Sequence, residues 1–357
     1  MSSQEAQIAF ATPKRQAADS AKGLGPGSNS AGTISAKYHD ERLQTPFGIR
    51  RMNHDLAGDL WIPLTLLAAF LQNLRSSLQK SLQTELGTRG ATYVRFAFGA
   101  PVAIVALFAL TRIRGEPIPV IQPLFAGLAM AGGLAQILGT AALLGSFQSR
   151  NYAAGIAYSK TEPLLAGLFG LLILGEQITA SAVGSIALGV VAVLVLTVGT
   201  EAFRPTLWGR LFTDRGALLG MLAGAGFGLA AVCYRGAGLD LASGDFVLRS
   251  LFTLGFVLCF QVLLMTLEMV WREPATLRKV AMAWRRGSLV GLVGATASAG
   301  WFAASLLQNA AYVRAFGQVE LLFAIGSSVL IFREHLKGRE IVGIALLVLA
   351  LVLLLLS

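Results

Sequence analysis

Long apolar stretches, each about as long as a bilayer is thick, follow one another along most of the chain. A helix needs roughly 20 mostly apolar residues to cross the hydrocarbon core. Ten stretches qualify, near 61–82, 91–112, 121–146, 153–174, 180–199, 216–236, 246–270, 288–311, 313–332 and 340–356. Short polar clusters such as RIRGEP, SRN, GEQ, GLDLASGD and WREPATLRK separate them. No stretch shows the short alternating pattern of an outer-membrane barrel strand. The pattern predicts an all-α integral membrane protein with ten transmembrane helices.

Two regions do not fit a span. Residues 1–57 are rich in Ser, Ala and Gly with no sustained apolar period, which predicts a disordered polar tail. The tail lacks the apolar core of a signal peptide, and Met52, just before the first span, is an alternative start. In 272–286, Leu277, Val280, Ala281 and Trp284 share one helical face. Arg278 with Arg285, and Lys279 with Arg286, recur at seven residues on another. The segment reads as a short basic amphipathic helix lying in the membrane interface, or else as a solvated loop.

The chain also repeats itself. YSKTEPLLAGLFGLLILGEQIT (158–179) aligns without a gap on FGQVELLFAIGSSVLIFREHLK (316–337). Glu162 then matches Glu320, and Glu176 matches Glu334. Arg95 and Arg249 each stand in the second span of their half, and each half ends in a glycine-bearing apolar span. The domains expected are a five-helix repeat at 58–200, a linker at 201–215 and a second five-helix repeat at 216–357. An odd number of spans per unit inverts its partner, so the fold expected is two inverted five-helix repeats, an architecture of many secondary transporters.

Composition narrows the function. Of 357 residues, 55% are hydrophobic and 13% charged, with mean hydropathy +0.65, which excludes an ordinary soluble domain. The net charge is +10, and in a membrane protein such an excess faces anionic headgroups, so it gives no reason to expect nucleic acid. Cys233 and Cys259 both lie in apolar runs and read as packing residues. His39, His54 and His335 form no metal constellation, and no cofactor is expected. No nucleotide-binding loop, HExxH or GxSxG occurs, so the chain carries no ATP motor and no recognisable catalytic pair.

The charges within spans carry the candidate chemistry, because a mid-bilayer charge costs at least ~2.5–3.5 kcal/mol. Glu162 and Glu320 are the acidic candidates; Arg75, Arg95 and Arg249 the basic ones; Gln136 and Gln318 the hydrogen-bonding ones. Arg75 or Arg95 is the expected partner of Glu162, and Arg249 that of Glu320. Arg314 is placed near the membrane edge. Pro163 is expected to break its helix beside Glu162. Each glutamate reads either as a proton or substrate site or as a permanent salt bridge. If both face one cavity, repulsion favours keeping one of them protonated. Cations outnumber anions in the spans, which favours a carboxylate-bearing substrate. Glu176 and Glu334 read as interface residues shaping short connections. Gly220, Gly224 and Gly228 line one face of span six, for close packing or for sliding.

In EPLLAGLFGLLILGE and VELLFAIGSSVLIFRE, each followed by a short loop and a glycine-bearing helix, the chain resembles the drug/metabolite transporter superfamily, specifically its EamA-like branch. The resemblance covers about 60–357 and departs from the family in the polar first span, FLQNLRSSLQK. It implies a ten-helix exporter or exchanger of small metabolites in the cell (inner) membrane. The partners expected are a small-molecule substrate, membrane lipids and protons as coupling ion. A flippase for a lipid-linked carrier is the alternative, and a membrane-embedded enzyme or sensor a more distant one. Connections after odd-numbered spans hold thirteen Arg or Lys against seven on the other side, which places both termini outside. The resemblance leans toward termini inside.

Overall fold

The computed structural model describes residues 59–147, 152–197, 214–332 and 338–357. The tail at 1–57, Met52, most of the linker at 201–215, and Glu334 lie outside the described residues. The described chain is all-helical with no strand. Seven of its helices are long and apolar enough to cross a membrane, as in a multi-pass membrane protein.

The helices run α1 (Trp61–Arg114), α2 (Pro123–Phe147), α3 (Tyr152–Ser159), α4 (Glu162–Phe169), α5 (Ala180–Thr197) and α6 (Arg215–Asp240). They continue as α7 (Phe246–Arg272), α8 (Pro274–Met282), α9 (Trp284–Leu307), α10 (Ala310–Phe316), α11 (Glu320–Phe332) and α12 (Gly338–Leu355). The first two expected spans form the single run α1, bent at Gly87. There φ is 68° and ψ 174°, a conformation essentially confined to glycine. The α8 helix, with Val280 buried and Arg278 and Lys279 exposed, occupies the segment read as amphipathic.

The fourth and ninth expected spans are both interrupted. The fourth breaks at Lys160–Thr161, where Lys160 and Thr161 donate their backbone N–H groups to Ala157 and Tyr158 at 3.2 Å in a tightened turn. Pro163 then sits in the first turn of α4, where its missing N–H costs nothing. A π turn (Gly170–Leu174) follows and ends at Gly175, whose φ of 68° reverses the chain. The ninth passes from α10 through a 3₁₀ turn (Gly317–Val319) into α11. Glu162 and Glu320 thus each occupy the first residue of a helix that begins after a break. There the helix dipole favours a carboxylate.

Packing pairs the helices. The α1 run lies along α9 and α7, α2 along α6, α5 along α12, and α4 between α6 and α10. Glycines set the spacing of α6. Gly224 faces the Tyr158 and Ser159 carbonyls at 3.2 and 3.1 Å, and Gly228 the Glu162 carbonyl at 3.1 Å, measured from where a Cβ would stand. At Gly220 a Cβ would overlap the backbone of Gly155. The three-glycine face is therefore a close-packed seam. Gly220→Val is expected to destabilise the protein by about 1–3 kcal/mol or more, because backbone cannot move aside. Gly184→Ala, with nothing within 4 Å of the new methyl, is expected to leave stability unchanged or slightly raised. Thermal unfolding in detergent separates the two.

Candidate functional site

The two helix breaks meet at a cavity of about 60 Å³. At roughly 10–15 Å³ per water it holds a few water molecules. Lys160, Glu162 and Pro163 line it from the first break, and Gly317, Gln318 and Glu320 from the second. Gln72 of α1, Trp301 of α9 and Arg314 of α10 complete the wall. Gly228 packs on the Glu162 carbonyl near the middle of α6, so the cavity lies deep between the ends of the spans.

Each carboxylate has a partner from another helix. Arg314 Nη1 lies 3.3 Å from Glu162 Oε1, an ion pair without the alignment of a hydrogen bond, with both side chains about one-fifth exposed. The Arg314 guanidinium also stands 5.3 Å over the Trp301 ring, a cation–π contact. Gln72 donates Nε2 to Glu320 Oε2 at 2.6 Å and accepts from Trp301 Nε1 at 3.1 Å. Asn73 donates to the Glu320 carbonyl at 3.4 Å. Trp301 thus touches both systems, one through its ring and one through its N–H. Gly317 keeps clear of that ring, which any Cβ there would overlap.

Further cations stand behind the wall. A Cβ built on Gly294 of α9 would meet Arg75 Cδ at 3.0 Å and Arg95 Cγ at 3.8 Å, so both arginines pass the same glycine. Arg75 lies within electrostatic reach of Glu320, and Arg95 within reach of Arg75, Arg314 and Tyr234. Arg75 is buried and its Nε has no partner. Arg95 stacks on Phe96 at 4.9 Å. Around Glu162 and Glu320 there are therefore four cations (Arg75, Arg95, Lys160, Arg314), and the surplus is positive.

Several expectations are corrected by this geometry. The partner of Glu162 is Arg314 rather than Arg75 or Arg95, and Arg314 belongs to the cavity wall rather than the membrane edge. Glu320 pairs with Gln72, not with Arg249. Arg249 lies in the first turns of α7 and donates its Nε to the Gly244 carbonyl at 2.8 Å. Gln136 is not among the cavity-lining residues. Its Oε1 accepts from Gln261 at 2.8 Å and from Tyr234 at 3.1 Å in a separate polar network between α2, α6 and α7. Gln318 does line the cavity, buried, with its Oε1 unpartnered. Neither Trp301 nor Tyr234 stands out in the sequence, where an aromatic in an apolar run gives no sign of polar neighbours.

A second ion pair, more deeply buried, joins α6 to the turn after α4. Arg235 Nε contacts Glu176 Oε1 at 2.5 Å, with the side chains 11% and 10% exposed. Arg235 Nη1 also donates to the carbonyls of Ser305 and of Gln308, the latter at 2.7 Å. One guanidinium thereby ties α6, the turn after α4 and the C-terminal carbonyls of α9 that no helix bond satisfies. Glu176 thus does more than shape a short connection. Among the described residues no cluster of His, Cys, Asp or Glu has the makings of a metal site.

No protein-family model matches the chain, and no curated protein matches it. Solved structures do. Among 26 matching chains, one described only as "Crystal structure of protein" is similar with TM-score 0.62 and 17% identity, over 85% of this chain and 97% of that one. At that identity the likeness concerns the fold alone.

Proposed function

We propose that the protein is a secondary active transporter of small carboxylate-bearing solutes, built as two inverted five-helix repeats of the EamA-like kind and working by alternating access. The observation that carries the reading is the cavity where two helix breaks meet, with Glu162 and Glu320 at equivalent places and a surplus of cations. Broken helices in a membrane expose backbone only where it lines a cavity, and midplane sites of this build suit transport. Arg75 and Arg95 attract the substrate carboxylate, since neither guanidinium has a carboxylate within salt-bridge distance among the described residues. Glu162 and Glu320 exchange a proton or a partner between states, and Gln318, with its free Oε1, accepts a hydrogen bond from the solute.

Solute-driven proton movement in everted vesicles tests this, with a panel of amino acids, small carboxylates and cationic dyes. Carboxylate-bearing solutes are expected to give a signal that Arg75→Gln or Arg95→Gln lowers roughly ten- to hundredfold. That is the worth of one charge-assisted hydrogen bond, about 1.5–3 kcal/mol. Silence across the panel with folded protein overturns proton-coupled carboxylate transport.

A second reading, a flippase for a lipid-linked carrier, is favoured by one feature. A groove of about 460 Å³ between α4 and α5, lined by Leu164, Leu168, Leu171, Val183 and Ile186, reaches Pro163 beside the cavity wall. Lipid scrambling in vesicles, with no soluble-solute signal, would select it.

A further inference from the structure

The α8 helix and its flanks hold a set of cations that the cavity does not use. Arg278, Lys279 and Arg285 are exposed and make no ion pair among the described residues. Beside them Trp271, Met282 and Trp284 are 88%, 74% and 56% exposed, and Arg285 lies 5.5 Å over the Trp284 ring. The segment's other charges are occupied. Arg89 pairs with Glu273 at 2.6 Å, Arg286 with Glu85 at 2.6 Å, and Arg272 approaches Glu268 at 3.8 Å. Val280 is buried, and Thr276 and Val280 sit where a side chain at Gly90 would be. The α8 helix is thus packed on α1 through Thr276 and Val280, with the ion pairs of Glu273 and Arg286 holding its two ends on either side of the bend at Gly87. Arg278, Lys279 and Met282 of α8, Trp271 at the end of α7, and Trp284 and Arg285 at the start of α9 stay exposed.

We propose that this face is a docking surface for the phosphate-bearing headgroups of anionic phospholipids, mounted on the α1 bend. Charge complementarity selects the partner, because three exposed cations without ion pairs, two on α8 and one at the start of α9, need anions. The neighbouring tryptophans fit the level where headgroups meet acyl chains. A soluble acidic protein would leave Trp271, Met282 and Trp284 bare, whereas a lipid surface satisfies cations and apolar groups together. Because ion pairs to Glu85 and Glu273 flank the bend, lipid charge bears on the angle between the two halves of α1. The proposal does not depend on what the cavity carries.

The test uses the whole protein in phosphatidylcholine vesicles containing brominated lipid, with tryptophan fluorescence as readout. Brominated phosphatidylglycerol is expected to quench more strongly than brominated phosphatidylcholine, with headgroup enrichment of about fivefold or more, since each cation near an anionic surface is worth about 1 kcal/mol. The excess should vanish in Trp271→Phe/Trp284→Phe, fall in high salt, and disappear in Arg278→Gln/Lys279→Gln/Arg285→Gln. All three of the latter side chains are exposed, so folding is retained. Equal quenching by the two headgroups in the wild type overturns the proposal. So does an excess that the triple variant keeps, or one that inorganic phosphate abolishes at constant ionic strength, which would assign the cations to a free anion.

Discussion

Arg235→Leu is expected to destabilise the protein by about 3–5 kcal/mol, the cost of leaving a buried charge without its partner. The substitution strands the Glu176 carboxylate, whose second oxygen already lacks a partner, and orphans the Ser305 and Gln308 carbonyls at the end of α9. Glu176→Gln removes the charge but keeps an amide within reach of Arg235 and leaves both carbonyl bonds, so its loss should be smaller. Arg235→Leu/Glu176→Leu should recover part of the single-variant loss, because apolar groups of similar size replace a buried pair cheaply. Unfolding in detergent followed by denaturant or heat measures all three. A loss under about 1 kcal/mol for Arg235→Leu, the range of an exposed pair, would mean that water reaches the site and that the clamp seals nothing. If it does seal one end of the cavity, a thiol placed by Gln308→Cys should react faster with a polar reagent once Arg235 is gone.

How much of this is legible in the sequence depends on whether the signal is local. The apolar runs, the close-packed glycine face of α6 and the break beside Pro163 follow from neighbours along the chain, and the structure contains them. Among the described residues seven helices meet the length and hydropathy of a span, and the shortfall from ten has equally local reasons. The fourth and ninth spans are cut by their own breaks, and the first carries FLQNLRSSLQK. Partners were the opposite case. Glu162 takes Arg314 because α10 packs against α4, which no periodicity in 310–332 encodes. Arg249 matched Arg95 by repeat position, yet it bonds the Gly244 carbonyl on its own side of the fold. Gln136, polar within an apolar run, stands out in the sequence as a hydrogen-bonding candidate. Tyr234 and Gln261 satisfy it instead, and that requires knowing that α2 lies along α6.

The Glu162–Arg314 pair decides between a bridge and a moving part. Glu162→Gln is expected to cut the proton signal driven by small carboxylates by roughly 30- to 4,000-fold. Removing one partner of a desolvated charge pair costs about 2–5 kcal/mol, and each 1.4 kcal/mol is tenfold. The variant also adds one net positive charge beside Gln318 and Lys160, so a bound carboxylate would be held too firmly to leave. Loss of signal alone fits a structural bridge equally well, and the charge reversal Glu162→Arg/Arg314→Glu separates the two. A bridge needs opposite charges 3.3 Å apart in either order, so the double variant would regain both thermal stability and transport. A carboxylate that works at the first residue of α4 draws on that helix's dipole and on the facing Glu320 system. The reversed pair places a guanidinium there, so stability should return in part while the proton signal stays at background. Full recovery of transport in the reversed pair would remove Glu162 from the cycle and leave Glu320, with Gln72 and Trp301, as the remaining carboxylate centre.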